Sequence, residues 1–259
     1  MVGKKHNGST DLVDEIRDHV KLTFEQIAGE FDSTRYKPWP ETVEFLKTVP
    51  PGSTILDLGV GNGRNAVHAV KNNQNVVGVD IAGNMLALAR SKFINIPGEK
   101  TLGSAEFVQA DFEKLPIKPD TFDAVICVAS LHHIPSGEGR LQVVSELHRV
   151  LKPGGTALVS VWDLDQPRFK QELMRQLYCV CRQAPQPDRT ENDPVSKSHP
   201  RPYEFGDVWV PWQSKDGQTY YRFYHLFYHN ELESLMEKGG FKINKYFRRA
   251  DNHNVVVSK

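Results

Sequence analysis

Three observations predict an α/β fold with a doubly wound, mostly parallel sheet and helices on both of its faces. Strand-length apolar segments alternate with amphipathic helical ones across residues 53–162. The first strand, Ile55-Leu56-Asp57-Leu58, runs into glycines at alternate positions, Gly59, Gly61 and Gly63, and then into a helix. The second, Val76 to Asp80, ends in an acid roughly twenty residues further on, which suits the two hydroxyls of a ribose. Glycine serves such a loop because it accepts positive φ and lets backbone approach a ligand with no Cβ between them. A dinucleotide-binding domain reads the same way up to this point.

Before the first strand, Leu12, Val13, Ile16, Val20, Phe24, Ile27 and Phe31 recur at helical spacing, so Asp11 to Phe31 is expected to be a helix, with residues 1–10 disordered. Pro38, Pro40, Pro50 and Pro51 bracket a second helix, Glu41 to Thr48. Helices then follow over Asn65 to Lys71 and Met85 to Phe93. The third strand, Ala105 to Gln109, ends in Ala110-Asp111-Phe112, where an acid and an aromatic suit the amino group and ring face of an adenine. Phe122 to Val128 is the fourth strand. The helix Arg140 to Leu151 turns at Lys152-Pro153-Gly154-Gly155 into the fifth, Thr156 to Trp162.

Beyond Trp162 the pattern changes, with a helix near Phe169 to Cys181 and a Pro-rich, charged stretch, Gln183 to Pro202, expected to be a mobile loop. Tyr220 to Tyr228 alternates like a strand, and Asn230 to Lys238 reads as a helix. Phe241 to Arg248 and Asn254 to Val257 form an antiparallel pair that closes the sheet. The expectation is one domain over residues 11–259, with a cofactor half at 53–162 and a late, substrate-side insertion at 163–229.

The chain has 259 residues, 39% of them apolar, enough for one large core. Thirty-two basic residues balance 32 acidic ones, so net charge gives no argument for or against a nucleic-acid partner. Cys127, Cys179 and Cys181 show no CxxC spacing, which points away from a disulfide framework and from a resident metal site. Cys127, inside an apolar strand, reads as a core residue. With a polar start and no membrane-length apolar run, the chain is expected to be soluble and cytoplasmic.

The five ordered segments resemble the class I S-adenosylmethionine-dependent methyltransferases. That resemblance implies a Rossmann-like fold with a seven-stranded sheet, and a cofactor set of Asp57, Gly59, Gly61, Asn62, Gly63, Asp80, Ile81, Asp111, Phe112 and Val128. The substrate belongs beyond the carboxyl ends of the strands, where the loop after the fourth carries Ser130-Leu131-His132-His133-Ile134-Pro135. The sequence has no Asn/Asp-Pro-Pro-Tyr segment for an exocyclic amine. It also lacks a Pro-Cys dipeptide for attack on a pyrimidine ring.

Two further segments narrow the family. Phe24 to Leu46, containing Ser33-Thr34-Arg35-Tyr36-Lys37-Pro38-Trp39-Pro40, and Gly206 to Trp212 with Tyr221 to His225 look like the tRNA methyltransferases that esterify the carboxymethyl group on C5 of wobble uridine. The same domain occurs in the AlkB-type tRNA hydroxylase fusion. Val60 stands where the family commonly has cysteine. The resemblance implies a catalytic set of Arg35, His133, Asp207 and Trp209, with Arg35 clamping the carboxylate or a phosphate. Lys37, His132, Arg140, Trp212 and Tyr224 would hold the substrate, Trp209 or Trp212 facing the extruded base. It further implies tRNA as substrate and a small zinc-binding activator subunit, placed along an edge strand at Glu106 to Gln109. The residues also leave open a small-molecule O-methyltransferase acting on a carboxylic acid, phenol or quinone, and a non-catalytic RNA-binding subunit.

Overall fold

The computed structural model describes residues 8–94, 103–171, 173–174 and 204–259. A long helix, α1 (Gly8–Thr34), opens the chain, so residues 8–10 of the expected disordered tail form its first turn. Pro40 begins α2 (Pro40–Thr48), where its fixed φ is already helical and its missing N–H is not needed. Then come β1 (Thr54–Leu58), α3 (Arg64–Lys71), β2 (Asn75–Asp80), α4 (Gly83–Ile94), β3 (Ala105–Gln109) and β4 (Phe122–Val128). The helix α5 (Gly137–Val150) starts at Ser136, whose hydroxyl caps the Gly139 N–H at 3.0 Å. It leads into β5 (Leu151–Trp162), followed by β6 (Asp207–Gln213), β7 (Thr219–His225), α6 (Glu231–Lys238), β8 (Lys242–Arg249) and β9 (Asn252–Ser258).

Seven strands form one sheet in the order β3-β2-β1-β4-β5-β9-β8, with β1 to β5 parallel and β9 antiparallel to both of its neighbours. The order reverses between β1 and β4, which opens a ligand crevice beyond their carboxyl ends. Side chains alternate along each strand between the two faces. Leu56, Leu58, Val125, Cys127, Val159 and Val161 pack on one face against α5 and α6. Ile55, Ala124, Ile126 and Leu158 pack on the other, against residues of α2 and α3. Cys127 is wholly buried, and that burial pushes its thiol up to about 12, so it is an inert core residue.

Two strand readings change. β5 starts at Leu151, which pairs with Phe122; the register then shifts, so Lys152 to Gly155 bulge out before Thr156 pairs with Ala124. The segment Gly206 to Trp212 supplies a strand, β6, that pairs residue for residue with β7 in a separate two-stranded sheet. The helix expected over 169–181 lies largely, and the loop over 183–202 wholly, outside the described residues.

α1 joins the two sheets. Its Ile16 and Val20 pack on Phe223 of β7, and its Ile27 and Ala28 pack on Ala82 and Met85 near the start of α4. Glu25 fixes that contact by accepting the Gly83 and Asn84 N–H groups at the N-terminus of α4, at 2.6 and 2.7 Å. No helix among the described residues is long and apolar enough to cross a membrane.

Candidate cofactor and substrate site

The crevice holds a cavity of about 640 Å³, bounded by the β1–α3 loop, the end of α1, the Tyr36 to Pro40 segment, the loop after β4, Trp162, and β7. A Cβ at Gly59, where φ is +77°, would collide with Ser130, so this glycine lets the β4 loop close on the cofactor loop. Gly61 has φ +52°, where a Cβ would meet only the Phe31 ring at 4.0 Å, and it donates its N–H to Asp80 Oδ2 at 2.9 Å. Asp80 Oδ1 accepts the Ala82 N–H at 3.0 Å, which fixes the carboxylate on the cavity wall.

Ile81, Phe112 and Val128 share that wall with Gly59, Gly61 and Asn62. Asn62 also donates to Asp32 and to the Arg35 carbonyl, both at 2.8 Å, and so ties the loop to the segment bearing Arg35. Asp57 is buried beneath, with one carboxylate oxygen unpartnered; burial chiefly, eased by Arg64, raises its pKa to about 7. Gly63 leads into α3 outside the lining, and Asp111 is exposed, accepting the Glu113 N–H.

The wall also carries four cations. Arg35, Lys37, Arg64 and Arg222 line it, against Asp80 as the only acid among the described lining residues. Arg222 is 8% exposed. It donates to the Tyr224 hydroxyl at 3.0 Å and lies over Trp212 at 5.0 Å, yet no carboxylate pairs with it among the described residues. Arg35 stands over Phe31 and Trp212 at 5.9 and 6.0 Å, also without an acid. Arg35 is exposed, whereas the buried Arg222 guanidinium is costly without a partner, and an anionic ligand relieves it.

Tyr224 stacks on Trp162 with centroids 4.0 Å apart and planes within 10°, a flat aromatic face inside the cavity. His133 is also on the wall. Its Nδ1 meets the Phe223 carbonyl at 2.7 Å, so Nδ1 carries the proton and Nε2 is left as an acceptor. Burial above all, with Arg222 adding to it, lowers its pKa to about 4, so the ring is neutral.

Other expected residues lie elsewhere. His132 is fully buried behind the wall and accepts the Trp162 N–H through Nδ1 at 3.1 Å, which holds Trp162 in place. Asp207 is fully buried against His225, at 2.8 Å from its Nδ1, and accepts the Glu204 N–H. Arg140, 3% exposed, meets Glu204 at 2.5 Å and the Ile134 carbonyl at 3.1 Å. These two, with His225 and Glu231, clamp the β6–β7 hairpin to α5 and α6 and face away from the cavity lining. Trp209 packs edge-on against His19 and Phe223, and Trp212 supports Arg222 and Arg35 from outside the lining. Trp162 and Arg222 were not among the expected residues. The signal for Arg222 was a lone cation inside an aromatic strand.

The residues present fit S-adenosylmethionine, the cofactor of this fold. Asp80 retains a lone pair on each oxygen for a ribose, Phe112 offers a ring face, and the unpartnered Asp57 and Asn65 oxygens supply negative character near a cationic ligand. A family model described as a methyltransferase domain matches residues 56–159. A SAM-dependent methyltransferase from Methanosarcina mazei shares the fold with a TM-score of 0.65 at 22% identity, over 86% of this chain and 98% of that one. The tRNA (carboxymethyluridine(34)-5-O)-methyltransferase alkbh8 of Xenopus tropicalis is 30% identical over 86% of this chain, which spans 37% of that longer protein. The tRNA (carboxymethyluridine(34)-5-O)-methyltransferase of Schizosaccharomyces pombe is 31% identical over 93% of this chain and 96% of its own length. With a class I methyltransferase fold and a relative matched along nearly its whole length, the chain belongs to the tRNA (carboxymethyluridine(34)-5-O)-methyltransferase family.

Proposed function

We propose that this chain transfers a methyl group from S-adenosylmethionine to the carboxylate of a carboxymethyl group on C5 of wobble uridine in tRNA, giving the methyl ester. Arg222 carries the reading: a buried guanidinium on the cavity wall, without an acid of its own, calls for a carboxylate from the substrate. The bound cofactor supplies an electrophilic methyl group on a cationic sulfur.

The chain's own residues have a positioning task. A carboxylate, with a pKa near ~4, is ionised at neutral pH and needs no general base. Arg222 and Arg35 hold it by charge-assisted hydrogen bonds, in line with the carbon–sulfur bond that breaks as the oxygen–carbon bond forms. No proton moves, which agrees with a neutral His133. The Nε2 of His133 instead accepts the imide N–H of the uracil, and the Trp162–Tyr224 stack receives the ring of a base turned out of its RNA.

A small zinc-binding activator subunit is part of the proposal. It would pair with the edge strand β3 beside Ile94, a large apolar residue left 80% exposed. The setting is cytoplasmic.

The test is transfer of labelled methyl to tRNA bearing carboxymethyluridine, with the activator present and unmodified tRNA as control. Alkali-labile label on the modified tRNA alone is the expected result. Transfer to small carboxylic acids or phenols without RNA would replace this reading with a small-molecule enzyme.

A further inference from the structure

Beside the main cavity, and sharing Tyr36, Pro38 and Arg64 with it, lies a second hollow of about 250 Å³ along the flank of α3. Arg64, His68 and Lys71 enter it from α3 and Lys92 from the last turn of α4, with Asp32 opposite. Positions 64, 68 and 71 recur at helical spacing, so one face of a short helix carries all three basic groups.

Asp32 is the one acid among the described lining residues, and it is already neutralised: Lys92 Nζ meets it at 2.5 Å and Asn62 Nδ2 at 2.8 Å. Arg64 and Lys71 have no carboxylate within ion-pair distance among the described residues; Arg64 stands over the face of Trp39 at 5.6 Å, with Asp57 and Glu41 offsetting part of its charge from further away. The Nε2 of His68 is buried with no hydrogen-bond partner. Burial first, then the positive charges of Lys47 and Lys71, keep the His68 ring below its usual pKa. Arg64 sits in the first turn of α3, where the helix dipole disfavours a cation, so its placement does not serve the helix.

We propose that this hollow is an anion subsite that takes a phosphodiester of the substrate RNA, next to the nucleotide whose base enters the main cavity. The proposal rests on the RNA substrate reading above. Lys71 and Arg64 contribute the charge. The shared wall of Tyr36, Pro38 and Arg64 sets the step from backbone to base.

The test uses the full chain with tRNA bearing carboxymethyluridine. Binding is measured across about 0.05–0.3 M salt for the wild type, Lys71→Ala, Lys71→Arg, and the control Lys242→Ala on the far edge strand β8. Lys71→Ala is expected to lower the slope of log affinity against log salt by about 0.7–0.9 and to weaken binding about fivefold near ~0.15 M. Lys71→Arg restores both, and Lys242→Ala leaves both unchanged. With Lys71→Ala, KM for tRNA rises by the same factor while kcat, S-adenosylhomocysteine affinity and turnover of free carboxymethyluridine nucleoside hold.

An unchanged slope in a Lys71→Ala protein that still binds tRNA overturns the subsite and leaves the substrate reading standing. An equal slope loss in Lys242→Ala overturns it too, in favour of a diffuse field. Nucleoside turnover falling together with tRNA turnover would place the effect in the main cavity instead and also overturn the subsite. A wild type that neither binds nor methylates tRNA removes the reading and the subsite together.

Discussion

Arg222 separates two costs that a single substitution can measure. Its guanidinium is desolvated without an acid in the ligand-free chain, so Arg222→Gln, which keeps a donor toward Tyr224, should leave the melting temperature unchanged or raise it. The same change should lower kcat/KM by about 10²–10³ while S-adenosylhomocysteine affinity holds, because two charge-assisted hydrogen bonds to the nucleophile are lost. Steady-state kinetics and a thermal melt decide; a lower melting temperature with weakened cofactor binding would make Arg222 a structural residue. For His133, with its pKa at about 4, the expectation is a flat profile. At saturating cofactor, kcat/KM of the wild type and of His133→Gln should show the same shape between about pH 6 and 8, at different heights. A step near pH 6.5 that vanishes in the variant would instead make His133 a base.

At the scale of elements, the carboxyl ends of β1 and β2 carry two buried acids, Asp57 and Asp80. Burial raises Asp57 to about 7 and Asp80 to about 6, both above the ~3.9 of an unfolded aspartate. Between those values the folded chain holds more protons than the unfolded one. Stability of the ligand-free protein therefore falls as pH rises from about 4 to about 7. Asp57→Asn should flatten that decline in melts taken across the window, and a positively charged cofactor analogue should bind more tightly at the upper end of it. The β6–β7 hairpin depends on a different balance. Asp207→Asn takes one charge from the His225 pair and is expected to cost about 3 kcal/mol in denaturant unfolding, with an intact cofactor loop. Burial alone would lower the pKa of His225, but its bonds to Asp207 and Glu231 raise it overall, so this contribution is full below about pH 6.5 and fades as pH climbs through the raised value.

For the whole molecule, the two edges of the main sheet differ. β8 carries Lys242, Lys245, Arg248 and Arg249, the edge charges that discourage strand pairing, whereas β3 offers Phe107 and Val108 half-buried beside an exposed Ile94. Adding the proposed activator subunit should slow amide exchange over residues 105–109 by about tenfold or more and leave β8 unchanged. Equal protection at both edges would point to self-association.

The amino-acid sequence by itself determined the parallel half of the sheet and the glycine turn that follows β1. Strand alternation, the positive-φ glycines and the acid closing β2 are local physics, legible within a few residues of each other, and the structure places Gly59, Gly61, Asn62, Asp80, Ile81, Phe112 and Val128 on one wall. The substrate half was legible only as a set of residue types. Whether Arg140, Asp207 or Arg222 faces a ligand depends on which charges lie within a few ångströms, and that is settled by contacts such as Asp207 with His225 and Arg140 with Glu204, far apart along the chain. Pairing of β6 with β7 and the docking of α1 on Phe223 decided it. They closed the acids into ion pairs with Arg140 and His225, held Trp209 and Trp212 outside the lining, and left Arg222 and the Trp162–Tyr224 face turned toward the cavity.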